Sequence, residues 1–496
     1  MKNKVTLLNM VSGLVLQFIT AISGFILPKI ILMYFGSEAN GLVSSLTQFL
    51  SYINLVEGGV TGVIAANLYK PLVERNISKV SAILVTSNKF YRKIGTVYIA
   101  YTVVLATSYP LIFHTEFSFS YIFALTLILS LGLLIQYIFS ISLKTLLNTD
   151  KKTYIVNFTQ SVIVILNLVL SVISIHVYPS IHIFKLINGI LFVLQPLVFG
   201  AYIKKNYSIN WKAKSNNELI KERWDGFTVN LAAFIHGSTD VTVLTIFTNL
   251  KIVSVYNVYS LVLMSANQLI NAIISGITAT VGHAYARRDF KELNQKLDIY
   301  EYVVFILVFF IFTVTALLIT PFVQIYTHGV KDANYYQPTF GLFFVIAEAI
   351  YMVKMPHLNL AYAANRFKEI TLPAFIEAGL NIVLSIIFVR EYGLVGVAIG
   401  TSIAMTYRMA FHVYYTSKIV PGRVQSIFYK KLLIFTGTSI VGYLLCSVVL
   451  PLTKLSVVNW ILYALYYSII VGILLGLVSL VFFKEELSFF RKYLKN

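Results

Sequence analysis

Long apolar runs separated by short polar segments fill almost the whole of this 496-residue chain. A helix rises about 1.5 Å per residue, so about 20 apolar residues cross the hydrocarbon layer of a membrane, which is roughly 30 Å thick. The pattern predicts an all-α integral membrane protein with about fourteen transmembrane helices. The predicted spans are 8–34, 41–66, 92–113, 118–143, 154–176, 181–203, 226–248, 254–281, 299–322, 336–355, 371–389, 392–417, 431–452 and 457–483.

Composition agrees with a chain that has little mass outside the membrane. Charged residues make up 12% and hydrophobic residues 58%, whereas a soluble domain has about 25% charged residues. The first apolar run is longer than that of a signal peptide, so we expect it to remain as the first span. The single cysteine, Cys446, excludes an intramolecular disulfide, and we expect neither a cofactor nor a metal site.

The positive charges are distributed as membrane topology requires. The net charge is +19, but Lys and Arg occur in short clusters between apolar runs, which argues against nucleic acid as a partner. With the N-terminus inside, all but seven of the 39 Lys and Arg residues lie on inside segments, with Lys354 counted among them. We therefore expect a multi-pass protein of the plasma membrane with both termini in the cytoplasm.

One long inside segment divides the chain. It runs from Lys204 to Asp225 and leaves six predicted spans before it and eight after it. Because six is even, spans 1–6 and spans 7–12 have the same orientation, and we expect two lobes related by a pseudo-two-fold axis along the membrane normal. The predicted domains are an N-lobe at 1–204, a cytoplasmic linker loop at 205–225, a C-lobe at 226–420, and a C-terminal region at 421–496 with spans 13 and 14 and a cytoplasmic tail.

Charged residues inside the predicted spans are the candidate functional residues. A charge at mid-membrane costs at least about 2.5–3.5 kcal/mol on insertion scales, so each one needs a reason. Polar residues at helical spacing accompany several of them, and such stripes predict a water-filled cavity. The charged residues are Lys29, Glu57, Lys185, Asp240, Glu348, Glu377 and Arg408, and their polar neighbours include Gln48, Asn54 and His236.

Structural explanations remain open for each of these residues. The charges can form interhelical ion pairs, and the polar side chains can hold helices together. Lys185 lies near the outer end of its predicted span and can extend to the membrane surface. Lys29 faces away from the polar side of a straight first helix unless Pro28 kinks that helix. His236 can be a packed, hydrogen-bonded histidine.

The sequence lacks the signatures of common catalytic sites. It contains no GxxxxGK[ST] phosphate loop, no HExxH and no CxxC, and its outside loops are short. A membrane enzyme that acts on sugars outside the cell usually needs a large loop. The charged residues inside the spans can still bind a cargo of complementary charge, and the helices can move it. The sequence therefore predicts transport rather than catalysis.

Several segments carry a resemblance to a known family. The segment FGSEANGLVSSLTQFLSY at 35–52, then LVEGG at 55–59 and LYKPL at 68–72, resembles the polysaccharide-repeat flippases of bacteria. The segment from Asp240 through VSVYNVY at 253–259 resembles the second-half counterpart in that family. The predicted span count is similar to that of the wider superfamily of multidrug, oligosaccharidyl-lipid and polysaccharide exporters.

The resemblance implies a flippase that uses alternating access around a charged central cavity. Such proteins move undecaprenyl-pyrophosphate-linked oligosaccharides from the inner to the outer leaflet for capsular, exopolysaccharide or O-antigen-type assembly. Its partners would be this cargo, membrane lipids, and glycan polymerase and chain-length proteins. By position, the residues expected to bind substrate are Lys29, Arg408, Lys185, Asn54 and Gln48. Those expected to couple H⁺ or Na⁺ are Glu57, Asp240, Glu348, Glu377 and His236.

Three other functions compete with this interpretation. A drug or cation antiporter and a lipid II flippase both belong to the same superfamily. A glycan polymerase or ligase is a membrane enzyme of a different class, and it would need a large outside loop with acidic or arginine residues. The sequence does not contain such a loop.

Overall fold

The computed structural model describes residues 2–57, 59–113, 115–216, 218, 223–452 and 454–488, without the side chains of residues 2, 3, 223–230, 232, 233, 235, 236, 276 and 279. These residues form α-helices, one π-helix and no β-strand. The α-helices are α1 (Lys2–Ser51), α2 (Asn54–Glu57), α3 (Val60–Val73), α4 (Ile77–Ile112), α5 (Phe119–Ile135), α6 (Ile141–Thr149), α7 (Thr153–Val177), α8 (Ile181–Leu191), α9 (Leu194–Asn206), α10 (Arg223–Phe247), α11 (Leu250–Ala286), α12 (Phe290–Tyr326), α13 (Pro338–Val353), α14 (Met355–Ala363), α15 (Phe367–Ile419), α16 (Gln425–Val449) and α17 (Val457–Phe482). The π-helix, Gln136–Ser140, joins α5 to α6.

The predicted spans all correspond to helices. Within the described residues, 11 helical segments are long and apolar enough to cross a membrane. Two of them, in α1 and α15, contain a glycine with non-helical backbone angles, Gly36 and Gly393, and each combines two predicted spans. The remaining predicted span, 226–248, coincides with α10. The prediction of an all-α, multi-pass membrane protein is confirmed.

The chain divides into two compact units, Met1–Phe234 and Ile235–Asn496, and each is described by itself. The lobe boundaries predicted at residues 204, 225 and 420 stay predictions. In each unit, one predicted span is not a straight, unbroken helix, and this irregularity positions polar residues.

In the first unit, the second span is interrupted. The sequence predicts one helix over 41–66, but α1 ends at Ser51, α2 covers a single turn, and α3 begins at Val60. Gly59 adopts a left-handed conformation with φ of 83°, which glycine tolerates without a steric penalty. The prediction of an unbroken helix is wrong here, and Glu57 lies at the end of the short helix α2.

In the second unit, α15 folds back on itself at Gly393, where φ is 53°. The two arms pack closely, because a Cβ added at Gly396 would overlap the backbone carbonyl of Phe388. A Cβ at Gly400 would lie 2.8 Å from the backbone nitrogen of Ser385. Small residues four positions apart allow this approach, as they do in other membrane helix pairs.

The end of the predicted span 336–355 is also wrong. The helical segment continues through α14 to Ala363, and Lys354 lies at the junction of α13 and α14. Lys354 is only 3% exposed. This lysine therefore belongs to the charges inside the spans and not to those of an inside loop.

Candidate transport site

The hairpin of α15 brings Glu377 opposite Arg408. Glu377 lies eight residues before Ser385, and Arg408 lies eight residues after Gly400. Because Ser385 contacts Gly400 and the two arms run in opposite directions, the same register pairs the two charged residues. Arg408 Nη1 is 3.6 Å from Glu377 Oε2, and both side chains are buried. Each residue is about 15 Å of helix away from the nearer end of α15.

Two further basic residues join this pair. Arg408 Nε donates a hydrogen bond of 2.7 Å to Nε2 of His412, one turn later in α15. Lys354 lies within electrostatic range of Glu377 and Arg408, and its Nζ is 3.8 Å from the ring centroid of Tyr351. We call Lys354, Glu377, Arg408 and His412 the Arg408 cluster.

The Arg408 cluster is incompletely paired. Arg408 Nη1 and His412 Nδ1 are buried and have no hydrogen-bond partner among the described residues. Lys354 Nζ has a sulfur acceptor, Sδ of Met405 at 3.4 Å, which is a weak one. Buried polar groups normally have good partners, so these vacant donors indicate a site that can receive an anionic ligand.

Asp240 lies in a separate hydrogen-bond network. The hydroxyl of Tyr256 donates to Asp240 Oδ2 at 3.0 Å, and Thr401 Oγ1 lies 3.2 Å from Oδ1. Asn381 donates to Thr401 at 3.2 Å, and Ser385 donates to Asn381 at 3.3 Å. The Asp240 carboxylate is therefore held by hydroxyl groups from α11 and α15.

Glu348 is half-buried on α13 and accepts a hydrogen bond of 2.7 Å from Nδ2 of Asn267 on α11. It lies within electrostatic range of Lys354. Glu348 thus connects the Arg408 cluster to the face of α11 that carries Asn267.

In the first unit, Glu57 is surrounded by hydroxyl groups. Thr61 donates a hydrogen bond to Glu57 Oε1, and Thr61 Oγ1 is 2.6 Å from the Tyr91 hydroxyl. Tyr137 donates to Asn54 Oδ1 at 2.7 Å and lies 3.4 Å from Glu57 Oε2. Tyr137 belongs to the π-helix, and π-helices frequently mark functional sites. The interrupted span is thus linked to the π-helix through polar contacts.

The other predicted residues are placed more simply. Lys29 is exposed on α1, one residue after Pro28. Lys185 is half-buried, with Nζ 5.6 Å from the ring centroid of Phe184. Gln48 Nε2 donates to Ser51 Oγ at 3.3 Å. The side chain of His236 lies outside the described residues.

A second group of buried charges lies in the second unit. Glu301 is fully buried on α12, and it pairs with Arg423, with Lys431 Nζ at 3.2 Å, and with His357 Nε2 at 3.3 Å. Asp298 Oδ1 is 2.8 Å from Arg423 Nη1 and 3.0 Å from Lys431 Nζ. We call these five residues the Glu301 cluster.

Arg423 lies in the connector between α15 and α16. Burial by itself would lower the pKa of its guanidinium, but the nearby Glu301 and Asp298 carboxylates raise this pKa above its ordinary value. Arg423 therefore stays charged, and the Glu301 cluster is held by complementary charges on α12, α16 and their surroundings.

Sequence reasoning missed Lys354, Glu301 and the tyrosines. Lys354 and Glu301 lie near the ends of their predicted spans, where hydropathy does not separate a buried charge from an exposed one. The chain contains 33 tyrosines, so Tyr137 and Tyr256 did not stand out. A usable signal was the pair Gly396 and Gly400, which fixes the register that joins Glu377 to Arg408.

Known proteins resemble this chain in structure. No family model matches it, and neither does any curated protein sequence. The lipid II flippase MurJ, in an inward closed conformation, matches with a TM-score of 0.71 and 16% identity over 96% of this chain and 99% of that protein.

Transporters of the MATE family match as well. An inward-facing multidrug resistance transporter of this family, from the MOP superfamily, has a TM-score of 0.67 and 14% identity over 81% of this chain and 95% of its own. The MATE multidrug transporter DinF-BH has a TM-score of 0.58 and 18% identity over 84% of this chain and 96% of its own. This membrane protein therefore has the fold that MurJ shares with the MATE transporters.

Proposed function

We propose that this chain is a flippase that moves undecaprenyl-pyrophosphate-linked oligosaccharide repeat units from the inner to the outer leaflet. The observation that carries the proposal is the Arg408 cluster, in which two buried cations have vacant or weakly used donors inside membrane-spanning helices. The attraction between such cations and a diphosphate is stronger than in water, because the local dielectric constant is lower.

Arg408 is suited to exchange partners. Its contact with Glu377 is a single one at 3.6 Å, longer than a charge-assisted hydrogen bond of about 2.7–2.9 Å. A phosphate group offers the planar guanidinium two oxygens at once. The arriving diphosphate would compete with Glu377 for Arg408, and a proton or an ion bound at Glu377 would favour this exchange. Binding of the cargo and binding of the coupling ion would then be linked at one pair of residues.

Glu57 and Asp240 are the proposed coupling sites outside this pair. Each carboxylate is held by one tyrosine and one threonine hydroxyl, and the two lie in different units. Protonation, or replacement of a hydroxyl by Na⁺, would rearrange the hydrogen bonds and favour one conformation over another. Glu348 partly balances the charge of Lys354. A change at Lys354 when cargo binds would therefore also affect Glu348.

An apolar cavity supports a lipid-linked cargo. The cavity has a volume of about 560 Å³ and lies among α12, α13, α15 and α16, where Phe309, Leu342, Met409 and Tyr443 contribute to its walls. Isoprenoid units would be buried there without loss of a hydrogen bond, while the diphosphate reaches the polar site.

A lipid II flippase is the second candidate. The MurJ match extends over 96% of this chain, whereas the MATE matches described above extend over 81% and 84%. Lipid II also carries an undecaprenyl diphosphate, so the same cations would serve either cargo. The two candidates differ in the glycan and not in the phosphate chemistry.

Reconstitution with defined cargo tests the proposal. The full chain is placed in liposomes with undecaprenyl-pyrophosphate-linked oligosaccharide, lipid II or a cationic dye, and the appearance of each on the opposite side is measured. We expect the oligosaccharide lipid to move and Arg408→Gln to slow it at least about tenfold. Arg390→Gln is the matched control, because Arg390 is exposed on the same helix. Movement of the dye alone would overturn the proposal, and movement of lipid II alone would favour the second candidate.

A further inference from the structure

A second cavity, with a volume of about 710 Å³, lies within the first unit. Its walls come from α4, from the π-helix and α6, and from α9, and residues 207–211 close one side. It shares no residue with the Arg408 cluster or with the network of Glu57. The transport mechanism proposed above leaves this cavity unused.

Three cations line the cavity. Lys89 and Arg92 are three residues apart on α4 and therefore share a face, and Lys204 lies near the end of α9. None of the three forms an ion pair within the described part of the chain, and no acidic residue lines the cavity. Asn88 and Ser208 add neutral hydrogen-bonding groups. The lining is thus complementary to an anion with several oxygen acceptors.

Hydrogen bonds hold the segment 207–216, which contains the closing residues 207–211, in place. The backbone nitrogen of Asn210 donates to Ser81 Oγ at 3.0 Å, and that of Asn216 donates to Thr86 Oγ1 at 2.9 Å. Lys89 Nζ donates to Ser215 Oγ at 3.0 Å. Residues 207–216 are therefore held against α4, beside the three exposed cations that line the cavity.

The remaining wall is apolar and suits a lipid. Phe139 is 52% exposed on the π-helix, and Trp211 is 48% exposed at the closing segment. Trp is enriched at the level of lipid headgroups, and basic pockets between membrane helices bind anionic headgroups. Gly200 also lines the cavity, and a Cβ added there would meet no atom within 4 Å.

We propose that this cavity binds the phosphate group of an anionic phospholipid, with Lys89, Arg92 and Lys204 as its ligands and the acyl chains against the wall around Phe139. This proposal goes beyond the proposed function, because it holds for any transported cargo. A bound lipid would fasten the segment 207–216 to α4 and α9. The surrounding membrane composition would then influence the first unit directly.

Trp211 provides a direct measurement. The chain has three tryptophans, so Trp224→Phe together with Trp460→Phe leaves Trp211 as the single fluorophore. The full chain is reconstituted in phosphatidylcholine vesicles that contain either phosphatidylglycerol or phosphatidylcholine with brominated acyl chains, which quench a nearby indole. We expect brominated phosphatidylglycerol to quench Trp211 at a mole fraction about tenfold lower than brominated phosphatidylcholine.

Two variants and two controls identify the site. Neutralisation of Lys89, Arg92 and Lys204 to Gln should abolish the preference for phosphatidylglycerol, and Gly200→Leu should do so by filling the cavity without a change of charge. The charge control replaces Lys79, Lys291 and Lys368 by Gln, since all three are exposed and lie outside the cavity. Gly437→Leu is the steric control, since its Cβ also meets no atom within 4 Å. Both controls should keep the preference.

Inorganic phosphate distinguishes a lipid from a soluble ligand. Phosphate added to the same vesicles should leave the quenching by phosphatidylglycerol unchanged at matched ionic strength. Displacement by phosphate would overturn the lipid as ligand and assign the cavity to a free phosphate compound. Equal quenching by both lipids, or equal loss of preference in the variants and the controls, would overturn the site.

Discussion

The second unit contains two groups of buried charges that differ in how completely they are paired. In the Glu301 cluster, Glu301 contacts Arg423, Lys431 and His357, and Asp298 contacts the same two cations. In the Arg408 cluster, Arg408 has one acidic contact at 3.6 Å and a buried Nη1 without a hydrogen bond in the described residues. The two clusters have similar residue types, and all of their members are buried except Asp298, whose side chain is 32% exposed.

Burial of charge alone therefore does not mark a functional site. The Glu301 cluster is the more completely paired of the two, because both of its carboxylates contact both cations and, among its described residues, only His357 Nε2, 3.3 Å from Glu301, lacks a hydrogen bond. Its role is therefore to hold helices together. An incompletely paired cluster retains donors, and these are stabilised further only when a ligand arrives. We infer that the Glu301 cluster is structural and that the Arg408 cluster binds the cargo.

The largest expected effect is on the structural cluster. Glu301→Ala leaves two buried cations with less opposing charge, and we expect a loss of about 3–5 kcal/mol in stability. Thermal unfolding in detergent and the amount of protein in the membrane measure this loss. The control is Glu292→Ala, which removes the partly exposed pair with Lys296 and should cost less than about 1 kcal/mol. Equal stability of the two variants would contradict the structural role.

A smaller loss is expected where the register of the Arg408 cluster is set. Gly396→Ala places a Cβ against the carbonyl of Phe388 and forces the arms of α15 apart. We expect a loss of about 1–3 kcal/mol, because the backbone must shift. Gly379→Ala, on the same helix, meets no atom within 4 Å and should be neutral or slightly stabilising. Unchanged thermal stability and flipping in the Gly396 variant would show that the close packing is not needed.

The smallest effect on stability is expected at the coupling sites. Asp240→Asn keeps the size of the side chain and changes its charge, so we expect a change of about 1 kcal/mol or less. The flipping rate in liposomes should no longer respond to an imposed proton or sodium gradient. Glu348→Gln, in the same unit, is measured in the same assay for comparison with the Asp240 variant. A full response to the gradient in the Asp240 variant would exclude this residue from coupling.

The sequence predicted the helices better than their irregularities. The fourteen apolar runs depend on local composition, and the structure has a helix at each of them. The break between Ser51 and Val60 contains Gly59 in a left-handed conformation and brings Glu57 to 3.4 Å from the hydroxyl of Tyr137, 80 positions away. Hydropathy reveals neither feature. The buried position of Lys354 was missed because a polar residue near the end of an apolar run normally marks the membrane surface.

The candidate site was predicted in part. Glu377 and Arg408 were recognised as costly charges, and the glycines of α15 contain enough information to place them face to face. Their incomplete pairing was not predictable, because it depends on where Lys354, Met405 and His412 lie in the folded chain. Completeness of pairing is a property of three-dimensional contacts and not of residue type.

The most direct test compares two double variants in one flipping assay. Glu377→Gln with Arg408→Gln removes a charge pair from the Arg408 cluster, and Glu301→Gln with Arg423→Gln removes one from the Glu301 cluster. Each double variant keeps the net charge of the chain. We predict that the first variant keeps its melting temperature and loses flipping at least about tenfold, because the donors for the diphosphate are gone. The second should melt at a lower temperature and keep its flipping rate per folded molecule. Normal flipping by the first variant together with a specific loss in the second would contradict the account.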